Sequence, residues 1–204
     1  MNAREGIMSS EEFGDELGKL YPVVEKNLSD SGSLDNVVEF LVHCGDRSLP
    51  EAMVTLVPEA WKHDELMNDL KKAYYKWNAF SMEPWDGPAL LAFSDGRYVG
   101  AILDRNGLRP SRFYVLKSKH LVMASEVGVI DVDPSEVIQK GRLKPGRMLL
   151  ADVFKKEITN DIDIKNELCR LRPVEDWLTK TTTIQDLHEI FKSQNPSKIF
   201  LVFN

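Results

Sequence analysis

The hydrophobic periodicity of this chain changes near residue 82, and that change constrains the fold more than any other feature. Before it, apolar residues such as Leu66, Leu70 and Tyr74 recur every three or four positions, which is the spacing of one helix face. After it, short apolar runs alternate with glycine-containing turns. Helices followed by antiparallel strands predict an α+β fold in which helices cover a sheet.

Four helices are predicted in the first 80 residues and a fifth after the strands. The second follows the stretch SDSGS at 29–33, and the third has Ser48 and then Pro50 at its start. The glycine of CGD (44–46) is expected to end the second helix, because glycine tolerates the left-handed conformation. The other three helices are predicted over 9–26, 64–80 and 163–171.

The strand-like half predicts about five or six strands in one meandering antiparallel sheet. Residues 88–104 hold two apolar runs around Asp95-Gly96, which is a strong hairpin signal. Asn106-Gly107 supplies a second turn, and 111–129 predicts a further strand pair. Residues 147–159 add one or two more strands.

Composition is that of an ordinary soluble globular protein, with 43% hydrophobic and 28% charged residues among 204. The net charge of −6 does not favour a nucleic-acid partner. No run approaches the roughly 18 apolar residues that a bilayer span needs, so no membrane partner is predicted. The acidic N-terminal stretch is unlike a signal or transit peptide, so the chain is expected to be intracellular, or a piece of a protein whose targeting segment lies elsewhere.

Motifs for metal binding and nucleophilic catalysis are absent from the sequence. No CxxC, HExxH, GxSxG, GxGxxG or P-loop pattern occurs, so no metal site and no catalytic residue is predicted. The two cysteines, Cys44 and Cys169, lie in apolar helical patterns and are expected to be small buried hydrophobes. A redox or disulfide role is the alternative for them.

The stretch SDSGSLDN (29–36) holds the residue with the most ambiguous role, Asp30. Asp30 could cap the following helix by accepting backbone N–H bonds, which stabilises a helix by about 1 kcal/mol. Ser33 can also serve as the cap and lies nearer the apolar stripe. In that case the Asp30 carboxylate is left to bind a cation such as an amino group, and the two roles stay open on spacing alone.

Two other stretches have specific residue patterns. Trp85, followed by Asp86-Gly87-Pro88, predicts a rigid turn that leads into a strand, with the tryptophan side chain in the core. The charged residues around the 105–110 turn, which include Asp104, are expected to pair with one another and stay solvated.

The sequence contains the separated blocks NAREG, SDSGSLDN, GDRSLPEAMVTLVPEAW, MEPWDGPALLAFSDGRYVGAILDRNGLRPSRFYV, MASEVGVID and KGRLKPGRMLLAD. Together these blocks closely resemble the glutamine amidotransferase domain of glutamate synthase. The resemblance covers residues 1–178, and it implies that this range is the C-terminal portion of a class II amidotransferase domain. The family fold is that of the N-terminal-nucleophile hydrolases, an α-β-β-α sandwich of two mostly antiparallel sheets between helix layers. Residues 179–204, which end in the apolar run IFLVFN, are left as a tail of uncertain structure.

The resemblance also implies a reaction. In the family an N-terminal cysteine attacks the side-chain amide of glutamine, and the released ammonia travels to another domain and adds to 2-oxoglutarate. FMN, an iron–sulfur cluster and electrons from ferredoxin or NAD(P)H act in those other domains, so no cofactor is expected in this chain. The implied partners are glutamine and the remaining domains of a glutamate synthase, and the implied location is a plastid or the cytoplasm.

One residue of the family's substrate site can be matched to this sequence. The aspartate of the family's Ser-Asp-Ser block binds the α-amino group of glutamine, and this block is similar to Ser29, Asp30 and Ser31 here. A carboxylate paired with an ammonium forms a charge-assisted hydrogen bond that anchors ligand orientation. The resemblance therefore implies that Asp30 and Ser31 are substrate-binding residues.

The family's nucleophilic segment has no match in this sequence. The chain opens with MNAREG, whereas the resemblance implies a cysteine, an oxyanion-hole block and a carboxylate-binding arginine ahead of NAREG. Loss of one oxyanion donor alone costs on the order of 100- to 1000-fold in rate. The 204-residue chain alone is therefore expected to be inactive as a glutaminase, and to be poorly soluble or partner-dependent because unpaired sheet edges would be exposed. The alternatives are a non-catalytic glutamine-binding or interaction module and a non-functional truncated product.

Overall fold

The computed structural model describes residues 14–179 of the chain, which include nearly all of the domain range 1–178. The tail predicted at 179–204 lies outside the described residues except for Thr179, and so do the opening residues 1–13. Within the described part, helices are followed by antiparallel strands and then by two more helices, which confirms the α+β class. The five α-helices are α1 Asp30–His43, α2 Leu49–Leu56, α3 Asp69–Ser81, α4 Asp161–Leu168 and α5 Val174–Thr179.

Polar side chains cap the starts of α1, α2, α3 and α4, and the cap of α1 is described with the candidate site. Ser48 caps α2 by accepting the N–H of Glu51, and Pro50 lies in the first turn, as predicted. Asn68 and Asn160 accept backbone N–H bonds in the same way at α3 and α4. Each cap satisfies one of the backbone donors that a helix start leaves without an intrahelical partner.

The predicted start of the fourth helix is wrong, and the predicted first helix is only partly formed. Because Asn68 caps α3, the helix begins at Asp69, and Leu66 lies ahead of it with 97% of its surface exposed. In the described part of 9–26, the chain forms a 3₁₀ helix over Gly14–Leu20. The amphipathic helix predicted over 163–171 begins and ends earlier, as α4.

The strands form two antiparallel sheets, so the prediction of one meandering sheet is wrong. In chain order the strands are β1 Leu90–Ser94, β2 Tyr98–Leu103, β3 Arg112–Leu116, β4 Leu121–Ala124, β5 Val137–Arg142, β6 Met148–Asp152 and β7 Glu157–Thr159. The first sheet has the order β1-β2-β6-β7 and the second has the order β4-β3-β5. After β2 the chain leaves the first sheet, forms the second, and returns as β6, which pairs with β2. The strand β5 was missed because its sequence, VIQKGR, is polar at half of its positions.

Strand β2 contributes to two hydrophobic clusters because successive side chains point to opposite faces of a sheet. Ile102 joins the larger cluster, which the helices form against one face of the first sheet. Ala101 and Leu103 join a smaller cluster with Phe113 and Met123 of the second sheet. Helices therefore cover one face of the first sheet, and the second sheet packs against the other.

Candidate functional site

The start of α1 holds the two residues that the family resemblance assigns to substrate. Ser29 is the N-cap of the helix, and its Oγ accepts the backbone N–H of Gly32 at 3.2 Å. The same Oγ lies 3.1 Å from the Oγ of Ser31. Asp30 is the first residue of the helix, and the side chains of Asp30 and Ser31 are both exposed. The expectation that Asp30 or Ser33 caps the helix is therefore wrong, because Ser29 supplies the capping oxygen.

The buried face of α1 fixes the position of this helix start. Leu34, Val37 and Leu41 are buried in the larger hydrophobic cluster, as the predicted apolar stripe requires. The side chain of Asn36 accepts the backbone N–H of Glu25 at 3.3 Å, which ties the segment ahead of the cap to the helix. Asp30 is thus an exposed carboxylate on a rigid element, beside the hydroxyls of two serines.

A buried ionic cluster on other elements of the fold was missed by the sequence analysis. The carboxylate of Glu59 pairs with Lys71 at 2.5 Å, with Arg147 at 3.2 Å and with Lys165 at 3.4 Å. The Nζ of Lys165, which is 2% exposed, also lies 2.8 Å from Asp161. The i,i+4 spacing of Asp161 and Lys165 was the available signal. We call this set the Glu59 cluster; it consists of Glu59, Lys71, Tyr75, Arg147, Asp161 and Lys165.

Burial and nearby charges shift the pKa values of Glu59 and Lys165 in opposite directions. Burial raises the pKa of Glu59, but the nearby Lys165 and Lys71 outweigh it and the net pKa is lowered. Burial lowers the pKa of Lys165, against the opposing effect of Asp161 and Glu59. Lys165 also donates to the carbonyl of Gly146 at 2.6 Å. The cluster joins α3, α4 and the start of β6, so its role is to hold these elements together.

A second buried polar cluster joins α2 and α3 to the segment that leads into α5. Arg47 donates to Thr55 at 2.8 Å and to Asn78 at 2.9 Å. Arg172 donates from Nε to Glu51 at 3.0 Å. Each donor meets a buried acceptor, so this cluster also stabilises packing.

The turn after β2 is held by a buried aspartate. The carboxylate of Asp104, 3% exposed, accepts the backbone N–H of Ala89 at 3.2 Å and of Asn106 at 2.8 Å. The expectation that this aspartate stays solvated is wrong, whereas Arg105 is exposed as predicted. Trp85 packs against the larger hydrophobic cluster, which confirms it as a core tryptophan.

The cysteines differ in their surroundings. Cys169 is buried, and burial raises the pKa of its thiol to about 11. At neutral pH this thiol stays protonated and is a poor nucleophile, so its prediction as a small buried hydrophobe is confirmed. Cys44 is half-buried, and neither Cys44 nor Cys169 forms a disulfide bond.

Neither a metal-ligand group nor a membrane-spanning helix occurs in residues 14–179. Among them, no group of three or more His, Cys, Asp or Glu side chains has a geometry that could hold a metal ion. None of the helices in this range is both long enough and apolar enough to cross a membrane.

Comparison with known proteins identifies the family. Residues 1–177 match the family described as glutamine amidotransferases class-II. The chain is 50% identical over 178 residues, 87% of its length, to a glutamate synthase [NADH] of Schizosaccharomyces pombe. It is 51% identical over 187 residues, 92% of its length, to a glutamate synthase [NADH] of Saccharomyces cerevisiae.

A bacterial relative extends the similarity. The chain is 44% identical over 178 residues, 87% of its length, to the glutamate synthase [NADPH] large chain of Bacillus subtilis. The alignments cover 8%, 9% and 12% of these three relatives, so the chain spans about a tenth of their length. Because the family match includes nearly nine-tenths of its residues, the chain belongs to the class-II glutamine amidotransferases.

Proposed function

We propose that this chain is part of the glutamine-recognising domain of a glutamate synthase. The class-II family match and the glutamate synthase relatives at 44–51% identity support this assignment. In this role the domain binds glutamine. The side-chain amide of the bound glutamine is hydrolysed, and the released ammonia is delivered to 2-oxoglutarate. The remaining domains of the synthase, which hold FMN and the iron–sulfur cluster, complete the reaction inside the cell, in a plastid or the cytoplasm.

The proposed fold is part of the N-terminal-nucleophile hydrolase sandwich. The packing of the second sheet against the first, with helices on the opposite face of the first, supports it because this is the order of three of the four α-β-β-α layers. Within this fold, the chain presents one side of the glutamine site on α1.

Asp30 is the residue that we propose to bind the α-amino group of glutamine, with Ser31 beside it. The observation that carries the proposal is that Ser29 caps α1. The exposed Asp30 carboxylate therefore does not serve as the helix cap. An ammonium can then donate a charge-assisted hydrogen bond to that carboxylate, which is stronger than a bond between neutral groups.

Ligand discrimination tests this role of Asp30. Calorimetry should show that the purified chain binds L-glutamine more tightly than 4-carbamoylbutanoate, which is glutamine without its α-amino group. Asp30→Asn removes a charged hydrogen-bond partner worth about 1.5–3 kcal/mol, so glutamine affinity should fall roughly 10- to 100-fold. Binding of 4-carbamoylbutanoate should barely change.

Asp35→Asn provides the matched control, because Asp35 is an exposed aspartate on the same helix. This variant should keep the preference of the unmodified chain for glutamine. The role of Asp30 is wrong if the unmodified chain binds the two ligands equally, or if Asp30→Asn and Asp35→Asn behave alike.

A further inference from the structure

Strand β5 forms an open edge of the second sheet. In the order β4-β3-β5 it has a neighbour on one side only, and within residues 14–179 the strand that pairs with it is β3. The backbone N–H and C=O groups on its other side therefore have no strand to pair with in this part of the chain. Such an edge is where a sheet accepts an extended segment as an additional strand.

Two cations of β5 point away from the first sheet. Gly141, between them, lies against the ring of Phe113, since an added Cβ would come within 2.5 Å of that ring. Phe113 packs in the smaller hydrophobic cluster, between the two sheets. Because successive side chains alternate between the faces of a strand, Lys140 and Arg142 lie on the opposite, outer face. Arg112 of β3 joins them there, because it pairs in register with Arg142.

These three side chains, Arg112, Lys140 and Arg142, are exposed, and we call them the β5 basic cluster. Like charges directly opposite one another on neighbouring strands are destabilising, and Arg112 and Arg142 are such a pair. On the first sheet a carboxylate offsets the charge of an arginine, because Asp152 lies 3.0 Å from Arg97. No carboxylate of residues 14–179 forms an ion pair with the β5 basic cluster, so the cluster favours negative charge from a bound partner.

An aliphatic groove runs beside the β5 basic cluster. It has a volume of about 540 Å³, and Lys140 is among the residues that line it. Its aliphatic lining includes Val127, Ile130 and Ile138, each between 57% and 62% exposed. Single exposed hydrophobic residues are ordinary on protein surfaces, but contiguous apolar patches mark places where another molecule binds. Aliphatic surface and positive charge therefore meet along one open strand.

We propose that β5 docks an acidic β-strand of a partner protein, a role that goes beyond the binding of glutamine at α1. The docked strand pairs antiparallel with β5, because antiparallel pairing is slightly more stable per residue. Every second side chain of that strand then lies across from Arg142, Lys140 and Ile138 in turn. The complementary pattern is acidic-x-acidic-x-aliphatic.

Charge argues against two other occupants of this edge. Pairing of β5 with the β5 strand of a second copy would bring the cations Lys140 and Arg142 of both copies together. A nucleic acid would meet a chain with a net charge of −6 and the carboxylate of Asp131, which also lines the groove. A short strand with two carboxylates has neither conflict.

Peptide binding to the full 204-residue chain tests the docking. Fluorescence anisotropy should show that the labelled heptapeptide Thr-Glu-Thr-Glu-Thr-Val-Thr binds at least about tenfold more tightly than Thr-Lys-Thr-Lys-Thr-Val-Thr. Lys140→Glu should weaken binding of the acidic peptide at least about fivefold and strengthen binding of the lysine peptide. Equal binding of the two peptides, or no binding of either, overturns the proposal.

Lys155→Glu is the matched control, because Lys155 is an exposed lysine in the turn between β6 and β7 of the first sheet. It makes the same change of net charge as Lys140→Glu. Both peptide affinities should stay within about twofold of those of the unmodified chain, because exposed charges are screened by salt. Equal effects of the two variants would show attraction by net charge alone and overturn the proposal.

A backbone-modified peptide separates strand pairing from charge attraction. The acidic peptide with N-methylated amides keeps both carboxylates but has lost its backbone N–H donors, so it should bind at least about tenfold more weakly. Equal binding of the methylated and unmodified acidic peptides overturns the pairing with β5. Sedimentation velocity gives the oligomeric state, and a dimer that the acidic peptide dissociates would place a second copy on β5 and overturn the choice of an acidic partner.

Discussion

At the scale of single residues, Glu59 shows how a charge is kept in the interior. Its side chain is 9% exposed and has three cationic partners, and it also accepts the hydroxyl of Tyr75 at 2.9 Å. Taking an ion out of water costs several kcal/mol unless partners and hydrogen bonds offset that cost. Because the cluster holds three cations and two carboxylates, Glu59 cannot be removed without leaving buried positive charge uncompensated.

The lowered pKa of Glu59 predicts a pH dependence of stability. A carboxyl group whose folded-state pKa lies below its unfolded value, 4.5, stabilises the fold above pH 4.5 and loses that effect as pH falls through the folded pKa. At pH 7, Glu59→Gln should lower the free energy of unfolding by on the order of 3 kcal/mol. The difference from the unmodified protein should shrink below pH 4.5, as measured by urea unfolding from pH 7 to 3.

Glu65→Gln is the control for this pH series, because Glu65 is exposed. Its effect should stay within about 0.5 kcal/mol at every pH. A Glu59→Gln difference that stays constant between pH 7 and 3 would contradict the ionic role of Glu59.

At the scale of elements, the turn between β2 and β3 depends on a glycine. Gly107 has a φ of +65°, and its N–H donates to the carbonyl of Asp104 at 3.2 Å. A Cβ at this position would lie 2.3 Å from the Cγ of Pro145. Conformation and space therefore both require glycine here, which explains why an Asn-Gly pair occupies the turn.

A pair of glycine substitutions separates these two requirements. Gly96 in the β1–β2 hairpin also has a positive φ, of +88°, but no atom lies within 4 Å of its added Cβ. Gly96→Ala should cost about 1 kcal/mol for backbone strain alone. Gly107→Ala should cost clearly more, at least about 2 kcal/mol, because steric overlap adds to the strain. Urea unfolding measures both, and equal losses would show that the contact with Pro145 relaxes freely.

At the scale of the whole molecule, β2 couples the two hydrophobic clusters. Ile102 and Leu103 are neighbours in sequence and both are buried, yet one packs against helices and the other against the second sheet. Loss of either cluster exposes a face of the same strand. The helical layer and both sheets should therefore unfold together.

A core substitution tests this coupling. Leu103→Ala, at a side chain that is 1% exposed, should lower the free energy of unfolding by about 2–5 kcal/mol. Far-UV and near-UV circular dichroism should still report one coincident transition. Leu108→Ala is the matched control, because Leu108 is 70% exposed and its loss should cost less than about 0.5 kcal/mol. Two separate transitions would contradict the coupling of the clusters through β2.

Local patterns in the chain were enough to predict several parts of the fold. The cap at Ser48, the apolar stripe of α1 and the hairpin at Asp95-Gly96 all follow from residues within one or two turns of each other. Such features depend on short-range sterics and hydrogen bonds, so a short stretch of sequence is enough to predict them. The resemblance of the blocks to the amidotransferase family likewise needed no coordinates.

Features that depend on residues far apart in sequence emerged from the folded molecule. The two-sheet arrangement, with β6 returning to pair with β2, and the cluster around Glu59, whose partners lie as far away as Lys165, are of this kind. The identity of the α1 cap also needed the structure, since Ser29, Asp30 and Ser33 all have a side-chain oxygen that can accept the bond. Alternation shows that a strand has two faces, but which partner covers each face is settled by long-range packing, where many contacts act together.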